Sequence, residues 1–126
     1  MDWRDPWITL DRGLKAWDSG RTGDCCYNTR TALIDVWLKV CNNLGENIEI
    51  PSGKTPDIKI LRNALEKHGF KKDIISFLGT VWSLASDRTH IEREEGKNPP
   101  ETETYLILQL TVSSIEYLLK ELLRRK

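Results

Sequence analysis

The sequence predicts an all-α chain, a bundle of four or five helices folded as one domain over 1–126. Three observations predict it. Apolar residues recur at three- and four-residue spacing in five separate segments. Glycines, prolines and cap-forming residues fall between those segments. Between the second and third of those segments, "IEI" at 48–50 could be a short extended piece, but one alternating triplet is too short to make a sheet.

The first helix is expected over 3–18, where Trp3, Trp7, Leu10, Leu14 and Trp17 form one face. "DSGRTGD" breaks it with two glycines and offers Thr22 and Asp24 as N-caps for the next. The second helix, 23–44, carries Cys26, Leu33, Trp37, Val40, Cys41 and Leu44 as its stripe, with Val36 beside them. Gly45 closes it. "IEIPSGKTP" reads as a loop. Thr55 is then the expected cap of a short third helix, 56–68, with Pro56 at its first position and Gly69 after its end.

The fourth helix, 71–90, has the stripe Ile74, Phe77, Leu78, Val81, Trp82 and Ala85. Gly79 inside it costs about 1 kcal/mol of helix propensity, so its expected purpose is the close approach of another helix. "REEGKNPP" is read as a loop. The fifth helix, 101–125, is apolar on more than one side, which predicts a central place in the bundle or an oligomer interface, with a homodimer through this helix as one form. Its basic end, Lys120 to Lys126, suits the C-terminal end of a helix dipole better than a nucleic-acid patch.

Composition narrows the function classes. The 126 residues carry 19 basic and 19 acidic side chains, so no global field attracts nucleic acid or an anionic membrane. No apolar run approaches the length of a membrane span, and the charged, aromatic start "MDWRDPW" does not resemble a signal peptide. Cys25, Cys26 and Cys41 are odd in number and lack CxxC spacing; they read as reduced, buried thiols of a cytoplasmic protein. With only His68 and His90 to add imidazole, no metal site and no cofactor is expected.

The candidate site is the polar cluster at the end of the fourth helix, within "WSLASDRTHIEREEGKNPP". On a continuing helix Ser83, Asp87 and His90 share a face at i, i+4 and i+7, away from the apolar stripe. His90 is the candidate general acid or base, Asp87 the group that orients its imidazole, and Arg88 the phosphate binder. Ser83 and Thr89 are candidate substrate contacts. Carboxylate, imidazole and guanidinium together suffice for metal-independent RNA cleavage, in which a 2′-hydroxyl attacks the neighbouring phosphate. The same residues also describe a solvated helix end with local hydrogen bonds.

Two segments resemble the HEPN group of helical domains, in particular the C-terminal domain of abortive-infection proteins. "CCYNTRTALIDVWLKV" (25–40) is similar to the family's A-R-T/S-x-L-E helix, with Asp35 at the acidic place. "LASDRTHIEREEGKNPPETETYLILQLTVSSIEYLL" (84–119) is similar in layout to its Arg–His helix, short loop and long apolar last helix. The resemblance covers roughly 22–44 and 72–123. It implies a binding or accessory module of a defence or toxin–antitoxin system, with RNA or a partner protein as its target. An RNA-cleaving form would assemble its site across a dimer. Catalytic members place four to six residues between Arg and His, whereas Thr89 alone separates Arg88 from His90. "RNALEKH" has the family's spacing between Arg62 and His68, but six residues turn a regular helix by about 240°, off a common face.

Two further motifs carry weaker signals. Gly53 and Lys54 in "PSGKTP" echo a phosphate loop without the full pattern. Asp57, Glu66, Asp73 and the acids of "EREE" (92–95) suggest a magnesium-dependent nucleotide pyrophosphohydrolase, an enzyme class that needs ExxE pairs on facing helices; "EREE" is expected in a loop.

Overall fold

A computed structural model describes residues 4–51 and 53–126; Trp3, placed by sequence in the first apolar face, lies outside them. The described residues form five helices: α1 (Arg4–Asp18), α2 (Thr22–Asn43), α3 (Ile58–Lys67), α4 (Lys72–Glu95) and α5 (Glu101–Arg125). They pack as a bundle, and no helix among the described residues is long and apolar enough to cross a membrane.

The central helix is α2, not α5. It packs against all four others along its length, while α5 runs mainly against α2 and α4 and meets α1 through side chains, Tyr105 against Trp17 and Leu108 in one apolar cluster with Ala16. The reason lies in which faces are buried. From Cys25 to Cys41 the α2 side chains Cys25, Cys26, Ala32, Leu33, Val36, Trp37, Val40 and Cys41 are all buried. Trp37 is 0 % exposed, and its indole nitrogen donates to the Leu61 carbonyl of α3 at 3.1 Å, so the largest core side chain leaves no orphan donor. α5 buries Ile107, Leu108, Ile115, Leu118 and Leu122, but leaves Tyr105, Leu106 and Leu123 outside.

Local chemistry explains the helix ends. Between α1 and α2 the chain turns through Gly20 at φ 75°, with Arg21 N–H bonded back to the Ala16 carbonyl at 2.8 Å, and α2 begins at the next residue. Thr22 and Asp24 therefore do not cap α2. The cap position is Arg21, whose side chain makes no capping bond to the helix N-terminus; the Thr22 hydroxyl donates to the buried Pro99 carbonyl at 2.8 Å, and Asp24 pairs with the Arg21 guanidinium at 3.2 Å. α3 starts two residues later than expected. Asp57, not Thr55, is its cap, its carboxylate accepting the Lys59 N–H at 2.9 Å.

The most consequential difference is α4, which runs on through "EREE" to Glu95 and ends at Gly96, a left-handed residue at φ 66°. The loop to α5 is only 96–100. Asn42 fixes the α2–α3 connection: its side-chain oxygen accepts Ile48 N–H at 2.9 Å, and its amide donates to the Ile48 carbonyl at 3.2 Å. At the far end Arg125 donates to the His68 carbonyl at 2.7 Å and lies over the Phe70 ring at 4.2 Å, so the cation sits at the C-terminus of α3. Arg124 and Arg125 both bind Glu121.

Candidate functional site

The C-terminal half of α4 shows three faces to three environments. Ser83, Asp87 and His90 lie on the exposed face, as their spacing predicts. Thr89 points inward: it is 1 % exposed, and its hydroxyl donates to the Ala85 carbonyl at 3.0 Å. Arg88 points to α5, where its Nη2 meets Glu103 Oε1 at 3.2 Å; its side chain is 21 % exposed and its Nε is buried without a partner. The structure thus brings Ser83, Asp87 and His90 to one surface and separates them from Arg88 and Thr89.

The exposed line is loosely held. The carboxylate within ion-pair range of His90 is Glu94, one turn on, with Oε1 4.0 Å from Nδ1. Among the described residues no hydrogen bond joins Asp87 to His90, so the orienting contact expected of Asp87 has no bond behind it here. A different cation reaches this surface. Arg62 of α3 lies over Gly79, and Arg62, Ser83 and Asp87 line one open groove of about 250 Å³ between α3 and α4. Sequence treats Arg62 and the α4 cluster as rivals; packing makes them neighbours. Gly79 itself does not admit a helix backbone: the nearest atoms a Cβ there would meet belong to the Arg62 side chain, at 3.6 Å.

The magnesium reading of the acids finds no assembled site. "EREE" is helical, yet among the described residues no three His, Cys, Asp or Glu side chains gather as a metal would need. Glu92 instead packs against Gly23 in the first turn of α2, where its carboxylate faces the positive end of that helix. All three cysteines are buried and free. Burial pushes the Cys25 and Cys41 thiols up to about 12, and raises Cys26 too. They are poor nucleophiles and poor metal ligands near neutrality.

A second cluster has no counterpart in the sequence expectations. Tyr27 on α2 is flanked by two guanidinium groups: Arg30, one turn on, 5.2 Å from the ring centroid, and Arg93 of α4, 4.9 Å from it. Arg30 also donates to Ser86 Oγ at 3.4 Å. No carboxylate pairs with Arg30 or Arg93 among the described residues. Burial lowers the proton affinity of Arg30, and the charge of Arg93 lowers it further. A guanidinium stays protonated regardless, so the cluster is an uncompensated double cation backed by a ring. The i, i+3 pair Tyr27–Arg30 is a local signal; Arg93 is not, because it falls in the stretch that reads as loop.

Beside it, between α2, α4 and the α2–α3 connection, lies an open, mainly apolar pocket of about 330 Å³, floored by Ile34 and Leu38 and walled by Trp82. Asp35, the residue at the acidic place of the HEPN resemblance, is on its rim, with its carboxylate 2.7 Å from Lys39. Comparison of the chain with protein-family models, with characterised proteins and with solved structures finds no match.

Proposed function

We propose that this chain is a helical binding module that engages single-stranded RNA through the Arg30–Tyr27–Arg93 cluster, and that it acts as an accessory part of an RNA-directed process rather than as a catalyst. The observation that carries the reading is the pair of guanidinium groups beside Tyr27, which have no carboxylate partner among the described residues. Arginine pairs suit phosphate oxygens, and guanidinium planes backed by an aromatic ring are good surfaces for unstacked bases. The net charge of zero fits a local contact rather than a broad electrostatic track. The resemblance of 22–44 and 72–123 to HEPN domains supports the same target class and a role in defence or toxin–antitoxin systems. Fluorescence anisotropy with short single-stranded RNA tests it. Arg93→Gln is expected to weaken binding about tenfold, the loss of one charge-assisted contact. Binding that is absent, or indifferent to Arg93→Gln and Tyr27→Ala, rejects the reading.

A ribonuclease is the second reading, favoured by the groove that Arg62 shares with Ser83 and Asp87, with His90 one turn beyond. In it His90 moves the proton and Arg62, not Arg88, meets the phosphate. RNA cleavage that survives EDTA and disappears in His90→Ala and Arg62→Ala would support it; cleavage unchanged in either variant would reject it.

A further inference from the structure

The pocket beside the arginine cluster has the features of a small-molecule site, and its lining defines the ligand. Its floor is one continuous face of α2, with Ile34 and Leu38 a turn apart. One wall is the half-buried Trp82 of α4; the other is Ile50 and Pro56. That second wall is tied at both ends, by the Asn42–Ile48 pair and by the Asp57 cap of α3. Its volume of about 330 Å³ lies at the small end of the range for ligand pockets, room for a body of one or two rings.

The charges on the rim are not balanced. Asp35 is neutralised by Lys39 at 2.7 Å. The cations Arg30 and Lys54 also line the rim, and neither has a carboxylate partner among the described residues. Arg30 is half-buried and spends one donor on the neutral Ser86 hydroxyl, which leaves its charge uncompensated beside an apolar floor. The hydroxyl proton of Thr31 is committed to the Tyr27 carbonyl at 2.9 Å, so the polar groups turned to the pocket mouth are chiefly cationic.

We infer that this pocket binds a small amphipathic anion: a flat, apolar body of one or two rings lying against Trp82, Ile34 and Leu38, with one carboxylate, sulfonate or phosphate group held by Arg30 and Lys54. The inference does not rest on the RNA reading: the two share Arg30, but Arg93 and Tyr27 do not line the pocket.

A pair of dyes tests it on the full chain. Anilinonaphthalene sulfonate carries the ring system and an anion; N-phenylnaphthylamine carries the rings alone. The sulfonate is expected to bind once per chain and about tenfold more tightly than the neutral dye, the worth of one charge-assisted contact. Lys54→Gln and Arg30→Gln should each remove about threefold to tenfold of the sulfonate's affinity and leave the neutral dye unchanged. Trp82→Ala should weaken both dyes. Thr31→Trp, which fills the mouth without touching the core, should also block both, and guards against a Trp82 variant that fails to fold. Arg93→Gln should leave both dyes unchanged, which separates this site from the RNA surface. Equal affinity for the two dyes, or sulfonate binding untouched by Thr31→Trp, would overturn the inference.

Discussion

Arg88 of α4 is joined to Glu103 of α5, Nη2 to Oε1 at 3.2 Å, and that single pair decides how the polar end of α4 works. The guanidinium that sequence assigns to a phosphate is spent on holding two helices together across a short loop. Its Nε is buried without a partner, so the group is already one hydrogen bond short. Turning it out towards His90 would break the pair and strand Glu103.

Arg88→Met should therefore change stability more than any chemistry. The side chain is 21 % exposed and that of Glu103 45 %, so the pair lies between a surface and a buried one. The expected cost is about 1–2 kcal/mol, most of it from the carboxylate left behind. Glu103→Gln in the same background should recover part of it. Urea denaturation of the two variants and the double variant reads the coupling; additive effects would mean that the pair contributes nothing.

Gly13 and Gly79 should respond in opposite directions to alanine. A Cβ at Gly13 would lie 3.1 Å from Thr29 Cγ2. The methyl is not free to move, because the Thr29 hydroxyl is bonded to the Cys25 carbonyl at 2.9 Å and reaches that of Cys26 at 3.2 Å. Overpacking should outweigh the propensity gain, a net loss of about 1–2 kcal/mol. At Gly79 the nearest atoms to the new methyl belong to the flexible Arg62 side chain, at 3.6 Å, so Gly79→Ala should stabilise by about 0.5–1 kcal/mol. Thermal melts of the two variants check the sign of each.

That contrast also shows what the sequence makes legible. Five helices follow from spacing and glycine punctuation, and the α2 stripe is buried nearly as expected, because Leu33, Trp37, Val40 and Cys41 are both apolar and central. The α1 face is not. Large side chains mark Trp7 and Leu14, yet the buried line is Pro6, Leu10, Gly13 and Ala16, because small residues let α1 approach the α2 backbone. In α5 the buried face contains Thr104, Thr111 and Ser114, which spacing alone reads as polar, while Leu123 is 73 % exposed. Thr104 and Ser114 are tolerated there because each hydroxyl donates to its own helix, to Pro100 and Leu110 carbonyls. "EREE" looks like a loop because it is charged, but nothing in it breaks a helix before Gly96. That one misjudged boundary hid Arg93, and with it the contact to Tyr27 that no local pattern encodes.

The two arginines near the C-terminus should be unequal. Both bind Glu121, and the Arg124 hydrogen bond in particular holds that carboxyl below its ordinary range. Only Arg125 also reaches the His68 carbonyl, at 2.7 Å, and the Phe70 ring. Arg125→Ala should cost about 1–2 kcal/mol through the lost cap of α3 and the lost ring contact. Arg124→Ala should leave the melting temperature unchanged within error. Equal losses would show that the anchor is the Glu121 pair and not the tie to α3.

The buried thiols should give the fold an alkaline limit. Burial raises Cys25 and Cys41 from 9.0 to about 12 in the folded chain, so the fold binds two protons that the unfolded chain releases first. The sign follows directly. Below about pH 9 both states keep the proton and these thiols have no effect on the pH slope; above it only the unfolded state ionises, and stability falls until the folded thiols ionise in turn near 12. Each thiol should add up to about 1.4 kcal/mol of loss per pH unit inside that window. Lysine, tyrosine and arginine groups also titrate there, so the test is a difference: denaturation midpoints of the native chain and of Cys41→Ala between pH 8 and 11. The variant starts lower, because a cavity replaces the thiol, but its alkaline slope should be shallower by the share of one thiol. Parallel slopes would mean that Cys41 is not held protonated by the fold.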